Sequence, residues 1–164
     1  MSREVRRVPL DWKHPEGHAL YDGDYEKENA EWLAGLAKWK KGLRHDWKTK
    51  GDIEHGEANT VWEWIDWHGN QPRIGDYMPV FPEELCVGWQ MYETCSEGTP
   101  ISPVMESPDE LADWLYNNNA SAFGSSTASR EQWAATIKAG WVISAVAIAE
   151  TGLISGVAAT TELP

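Results

Sequence analysis

The side chains in this chain that could act on a substrate are five histidines, two cysteines and scattered carboxylates. His14, His18, His45, His55 and His68 all fall in the first 68 residues. His14 and His18 are four apart, a spacing that places two imidazoles on one helical face. Pro15 and Gly17 stand between them and break such a helix. His55, Asp66 and His68 offer metal-ligand chemistry, but no HExxH, CxxC or facial-triad spacing accompanies them. The expected reading is surface imidazoles, with no metal and no cofactor.

Covalent catalysis needs Ser, Cys or Thr beside a histidine that a third group orients. The chain has no GxSxG elbow and no Walker A sequence, and Gly98 and Gly124 stand alone rather than in a GxGxxG run. Cys86 and Cys95, nine residues apart, are read as reduced thiols. Glu83 with Glu84, and Glu106 with Asp109 and Glu110, have the groups for acid–base work. Such clusters are mainly solvated faces or helix caps, so no catalytic residue is assigned. The enzymatic alternative gathers Glu93, Cys95, Ser96 and Glu97 at a hairpin turn. A small enzyme acting there on a nucleotide or other small molecule would need a deep pocket around them.

Charge says more. Residues 1–50 hold eleven of the fourteen Lys and Arg against nine acids, whereas residues 51–164 hold three bases (Arg73, Arg130, Lys138) against seventeen acids. The formal net charge is −12. A field of one sign repels nucleic-acid phosphate and anionic membrane and attracts basic protein surfaces. Arg3, Arg6 and Arg7 are too few to define a phosphate site. The run Trp62-Glu63-Trp64-Ile65-Asp66-Trp67 has the rings of a stacking platform, but the interleaved acids oppose a nucleic-acid strand. Rings partly packed and partly exposed, flanked by carboxylates, suit a protein interface, where aromatics anchor binding. The expected partner-binding set is Trp62, Glu63, Trp64, Asp66, Glu83, Glu84, Glu106, Asp109, Glu110 and Asp113, facing Lys and Arg on the partner.

The elements that must position these groups follow from local signals. Residues 1–23 read as a basic extended arm, and 24–164 as one domain. A helix is expected from Asp24, with Trp32, Leu33, Leu36, Trp39 and Leu43 on one stripe, acids early and bases late. Residues 45–59 read as a loop, 61–67 as a strand, and 69–84 as an irregular connection rich in proline and glycine. A hairpin is expected from 89–94 and 100–105 about a turn at 96–98. Ser107-Pro108-Asp109-Glu110 is a helix-start signature, and Ser129-Arg130-Glu131-Gln132 is a second one whose helix stops at Gly140. Residues 141–149 and 153–159 suggest a final hairpin. The sum is an α+β fold: a small, mostly antiparallel sheet with three helices packed on one side. No apolar run of about 18 residues is present to span a membrane, and no apolar segment follows the basic start as in a signal peptide. A cytoplasmic protein is expected.

The stretch from Gln90 to Ala112, with Thr-Cys-Ser-Glu-Gly-Thr-Pro-Ile-Ser-Pro-Val and Ser-Pro-Asp-Glu-Leu-Ala, resembles a family of small bacteriophage and prophage proteins. So do the opening Arg-Glu-Val-Arg-Arg-Val-Pro-Leu-Asp-Trp, Ala-Ser-Ala-Phe-Gly at 120–124, and Thr-Gly-Leu-Ile-Ser-Gly-Val near the end. The similarity covers about half the chain in the same order. Some members carry what looks like a cysteine-rich zinc knuckle before the Ser-Glu-Gly-Thr-Pro motif. Residues 64–84 stand there in this chain without a cysteine, so no metal ligand carries over. No catalytic residue carries over either. The family has no settled activity, so the resemblance supplies a phage context; analogy with acidic phage inhibitors, anti-CRISPR proteins among them, together with the charge, gives the expectation of a DNA-mimicking inhibitor in the host bacterial cell. Its partner would be a host protein or ribonucleoprotein with a basic surface. The third alternative is a structural or morphogenetic phage component.

Overall fold

The computed structural model describes residues 2–94, 98–148 and 152–161. In chain order the elements are β1 (Arg3–Val8), α1 (Tyr25–Trp39), β2 (Leu43–Asp46), β3 (Gly51–Glu54) and α2 (Val61–His68). After two 3-10 turns, Ile74–Asp76 and Glu83–Leu85, come β4 (Gly88–Glu93), β5 (Thr99–Pro100), α3 (Pro108–Asn117) and α4 (Arg130–Ala139). β6 (Trp141–Val142), β7 (Ala145–Ile148), β8 (Gly152–Ser155) and α5 (Gly156–Ala159) complete the described chain. Every strand pair is antiparallel, so the fold is α+β with antiparallel sheets. The chain divides into two compact units, Asp22–Met78 and the combination of Met1–Tyr21 with Pro79–Pro164.

The discontinuous unit is built on the sheet β5-β4-β1-β6. Residues 3–8, expected in an extended arm, form an interior strand with β4 on one side and β6 on the other. The reason lies in where its charges go. Arg3 is buried and donates from Nε to the Ser121 carbonyl oxygen at 2.9 Å. Arg6, also buried, donates to Glu4 and to the Leu20 carbonyl oxygen, with its guanidinium 4.4 Å from the Tyr92 ring centroid. A buried guanidinium is tolerable when its donors are met and a ring face receives its charge.

Val5, Trp89 and Met91 meet Leu111 and Leu115 of α3, Trp133 and Ile137 of α4, and Val157 of α5 in one apolar core. Three helices thus line one side of this sheet. On the other side the strand residues are polar: Trp12 Nε1 donates to the Tyr92 hydroxyl, which donates to Gln90 Oε1. Gln90 Nε2 in turn donates to the Ser102 carbonyl oxygen. The return strand expected over 100–105 is cut to Thr99–Pro100 plus a bridge between Trp89 and Met105. Pro100 and Pro103 have no N–H for a ladder. The Ser102 hydroxyl accepts from the Met91 amide in its place.

Both helix-start signatures hold. Ser107 caps α3 through the Glu110 amide, with Pro108 in the first turn, although the Glu110 carboxylate turns to the Glu106 amide. Ser129 and Gln132 form a reciprocal capping box on α4, and Gly140, at φ 82°, ends it. The expected final hairpin appears as β7 with β8, followed by the short α5, while β6 joins the main sheet. Its turn, 149–151, and the turn of the central hairpin at 95–97 lie outside the described residues.

The Asp22–Met78 unit holds α1, the β2–β3 hairpin and α2. Asp24 caps α1 by accepting from the Lys27 amide. Trp32 and Trp39 are buried and Leu36 is packed beside them, but Leu33 is exposed and Leu43 has left the helix for β2. The hairpin replaces the loop expected over 45–59. Its turn is held by Asp46, which accepts from the Lys48 and Thr49 amides and from the Thr49 hydroxyl.

Residues 61–67, expected as a strand, are helix α2, capped by Thr60. Val61, Trp64 and Ile65 fall at i, i+3 and i+4 and pack together against α1, a period that outweighs the apparent alternation. Gly35 makes room for this contact: a Cβ there would stand 2.6 Å from two carbons of the Trp64 ring.

Candidate functional site

The expected partner-binding residues divide between the two units. Trp62, Glu63, Trp64 and Asp66 lie on α2; Glu83, Glu84, Glu106, Asp109, Glu110 and Asp113 lie in the sheet-based unit. Trp62 is 73% exposed and Asp66 is exposed, as an interface requires. Trp64 is 3% exposed and is core, so it does not serve as an anchor. Its ring lies 5.9 Å from Trp67 and 4.3 Å from His68, both stacked. Glu63 is half-buried, with its Oε2 shielded and without a hydrogen-bond partner.

In the sheet-based unit all six acids are exposed. Glu83 and Glu84 start the 3-10 turn whose Pro82 carbonyl oxygen receives the Cys86 thiol. Asp109 and Asp113, one turn apart on α3, both accept from Arg130 of α4. Those two bonds, Asp113 first, push the guanidinium pKa still further up.

Of the alternative catalytic group, Glu93 ends β4 half-buried, and Cys95, Ser96 and Glu97 lie outside the described residues. The histidines serve structural contacts. His14 Nε2 meets the His18 carbonyl oxygen at 2.6 Å, and His55 Nε2 meets the Trp39 carbonyl oxygen at 3.0 Å.

The arrangement that sequence reasoning missed is in the Asp22–Met78 unit. A cavity of about 270 Å³ is walled by Trp64 and Trp67, with Lys38, Arg44, His45 and Trp47 around it. Trp47 is 80% exposed and sits edge-on to His45, ring centroids 4.8 Å apart. Arg44 reaches over Trp67 at 5.6 Å from its centroid. Lys38 donates to Asp52 at 2.9 Å, which holds the Asp52 carboxyl below its usual range. A second cavity of about 250 Å³, against Trp39 and His55, shares Arg44 and Trp67 with the first. The period-two pattern Leu43, His45, Trp47 was the available signal for this hairpin wall.

No protein-family model, curated protein or solved structure matches the chain. Among the described residues no helix is long and apolar enough to cross a membrane.

Proposed function

We propose that the protein is a non-enzymatic acidic binding protein of phage origin, acting in the host cytoplasm. It blocks a nucleic-acid-handling defence complex by presenting carboxylates to that complex's basic surface. The observation that carries this reading is the fate of the positive charge in the sheet-based unit. Its sequence holds six Lys and Arg against fourteen Asp and Glu. Arg3 and Arg6 are buried, Arg7 lies 4.0 Å over the Trp89 ring, and Arg130 is shared by two aspartates. Two of the six bases are thus buried and two more are held at the surface by a ring face or by aspartates, while Glu83, Glu84, Glu106 and Glu110 stand in solvent. Exposed carboxylates in excess over the bases generate a negative potential of the kind a phosphate backbone carries. They speed encounter and select the partner more than they set final affinity.

The test is a purified defence ribonucleoprotein with its target DNA, titrated with the protein at low and high ionic strength. Inhibition of DNA binding at low salt, lost at high salt and in the variant Glu83→Lys/Glu84→Lys/Glu106→Lys/Glu110→Lys, is expected. Inhibition that ignores both salt and charge reversal overturns the proposal.

A further inference from the structure

We infer that the cavity between α1, the β2–β3 hairpin and α2 is a binding site for a flat heteroaromatic ring carrying one anionic group. A free nucleoside monophosphate is its representative. The walls argue for the ring. Trp64 and Trp67 are stacked with 27° between their planes, and Trp47 stands 80% in water beside the same cavity. An indole kept in solvent on a cavity wall is placed to cover a planar guest, and stacking on indole needs no particular base. The space, about 270 Å³, falls just under the roughly 300 Å³ at which small-molecule sites begin, so it holds the ring and leaves part of the guest in solvent.

The charges argue for the anion. Lys38 and Arg44 line the cavity against one carboxylate, Glu31. Lys38 already holds Asp52, whereas Arg44 has no carboxylate within 4 Å among the described residues, although its charge reaches Asp46, and its Nε is buried without a hydrogen-bond partner. Because Nε is closed off, a phosphate oxygen would meet the terminal nitrogens of the guanidinium that lies over the Trp67 indole. A quaternary ammonium guest, the other ligand of aromatic cages, would face Lys38 and Arg44 and be repelled. A long strand is disfavoured as well, because residues 22–78 carry twelve acids against eight bases.

The experiment is calorimetric titration of the intact protein with AMP, GMP, CMP and UMP, each beside its uncharged nucleoside and a short oligonucleotide of the same base. At least one monophosphate is expected to bind saturably, tighter than its nucleoside. Trp47→Ala removes an exposed ring without touching the core and is expected to weaken binding about tenfold or more. Arg44→Gln is expected to erase the preference for monophosphate over nucleoside, and Lys38→Gln, at an exposed site, to reduce it. No saturable binding by any monophosphate overturns the inference, as does nucleoside binding of equal strength. Unchanged binding by Trp47→Ala, or an oligonucleotide that binds tighter than its monophosphate, overturns it too. The charge-reversed variant at Glu83, Glu84, Glu106 and Glu110 is expected to bind monophosphate normally, so this result and inhibition of the defence complex are read separately.

Discussion

Trp39 and His55 lie face to face, ring centroids 3.8 Å apart and planes 15° apart. The imidazole Nε2 also meets the Trp39 carbonyl oxygen, so one residue holds both the ring and the backbone at the end of α1. Trp39 is fully buried, and its Nε1 donates to the Ala58 carbonyl oxygen. Trp39→Ala is expected to destabilise the protein by about 3–5 kcal/mol, the range for a buried large aromatic cut to alanine. Denaturant unfolding followed by circular dichroism checks it. A loss well under that range would mean the cluster collapses around the hole.

Gly35 offers a test whose sign decides. In an open helix, Gly→Ala stabilises by about 1 kcal/mol. Here the new methyl would stand 2.6 Å from ring carbons of Trp64, itself buried and unable to swing away. Overpacking of this kind costs about 1–3 kcal/mol, so Gly35→Ala is expected to be destabilising overall. Gly56→Ala, with nothing within 4 Å of its added carbon, is the control and is expected to change little. A stabilised Gly35→Ala would show that α1 and α2 can part without loss.

The helices with sidechain caps were the most legible part of the chain. Ser107 and Ser129 act through bonds to residues three positions on, so the signal and the structure are both local. The elements that were misread depend on remote partners. Arg3-Glu4-Val5-Arg6-Arg7-Val8 has no apolar alternation, and it becomes an interior strand only because Ser121, Leu20, Tyr92 and Trp89 receive its arginines. Trp62–Trp67 fits both period two and period 3.6 over so few residues, and packing against Trp32 and Trp39 decided for helix. The carboxylates were legible as charge, but not the burial of Trp64. The cavity beside Trp47 was invisible because its walls are residues up to 37 positions apart, from Glu31 to His68.

The local caps make a quantitative comparison. Ser129 caps α4 with the reciprocal Gln132 bond, whereas Ser107 caps α3 without the return bond to its own amide. Removing an N-cap hydroxyl costs roughly 1 kcal/mol. Ser129→Ala is expected to lose about that much or more, because the same hydroxyl also bonds the Glu131 carboxylate while the Gln132 bond to the backbone amide survives, and Ser107→Ala somewhat less. Thermal unfolding of the two variants checks the order; the reverse order would count against the capping-box reading.

Tyr92 ties alkaline stability to the polar side of the main sheet. Burial raises its phenol above the usual 10.0, while the Trp12 hydrogen bond and the Arg6 charge lower it in part. A folded-state pKa above the unfolded one contributes stability that is fully present below about pH 10 and is lost as pH rises through the folded value. Tyr92 is therefore expected to ionise late, together with unfolding, when phenolate absorbance is followed in base. In Tyr92→Phe that late step disappears. The variant also leaves Trp12 Nε1 and Gln90 Oε1 without the hydroxyl they share, at a cost of about 1–3 kcal/mol at neutral pH. A phenolate titration in which Tyr92→Phe removes no late step while the fold persists would show that this side of the sheet is open to water.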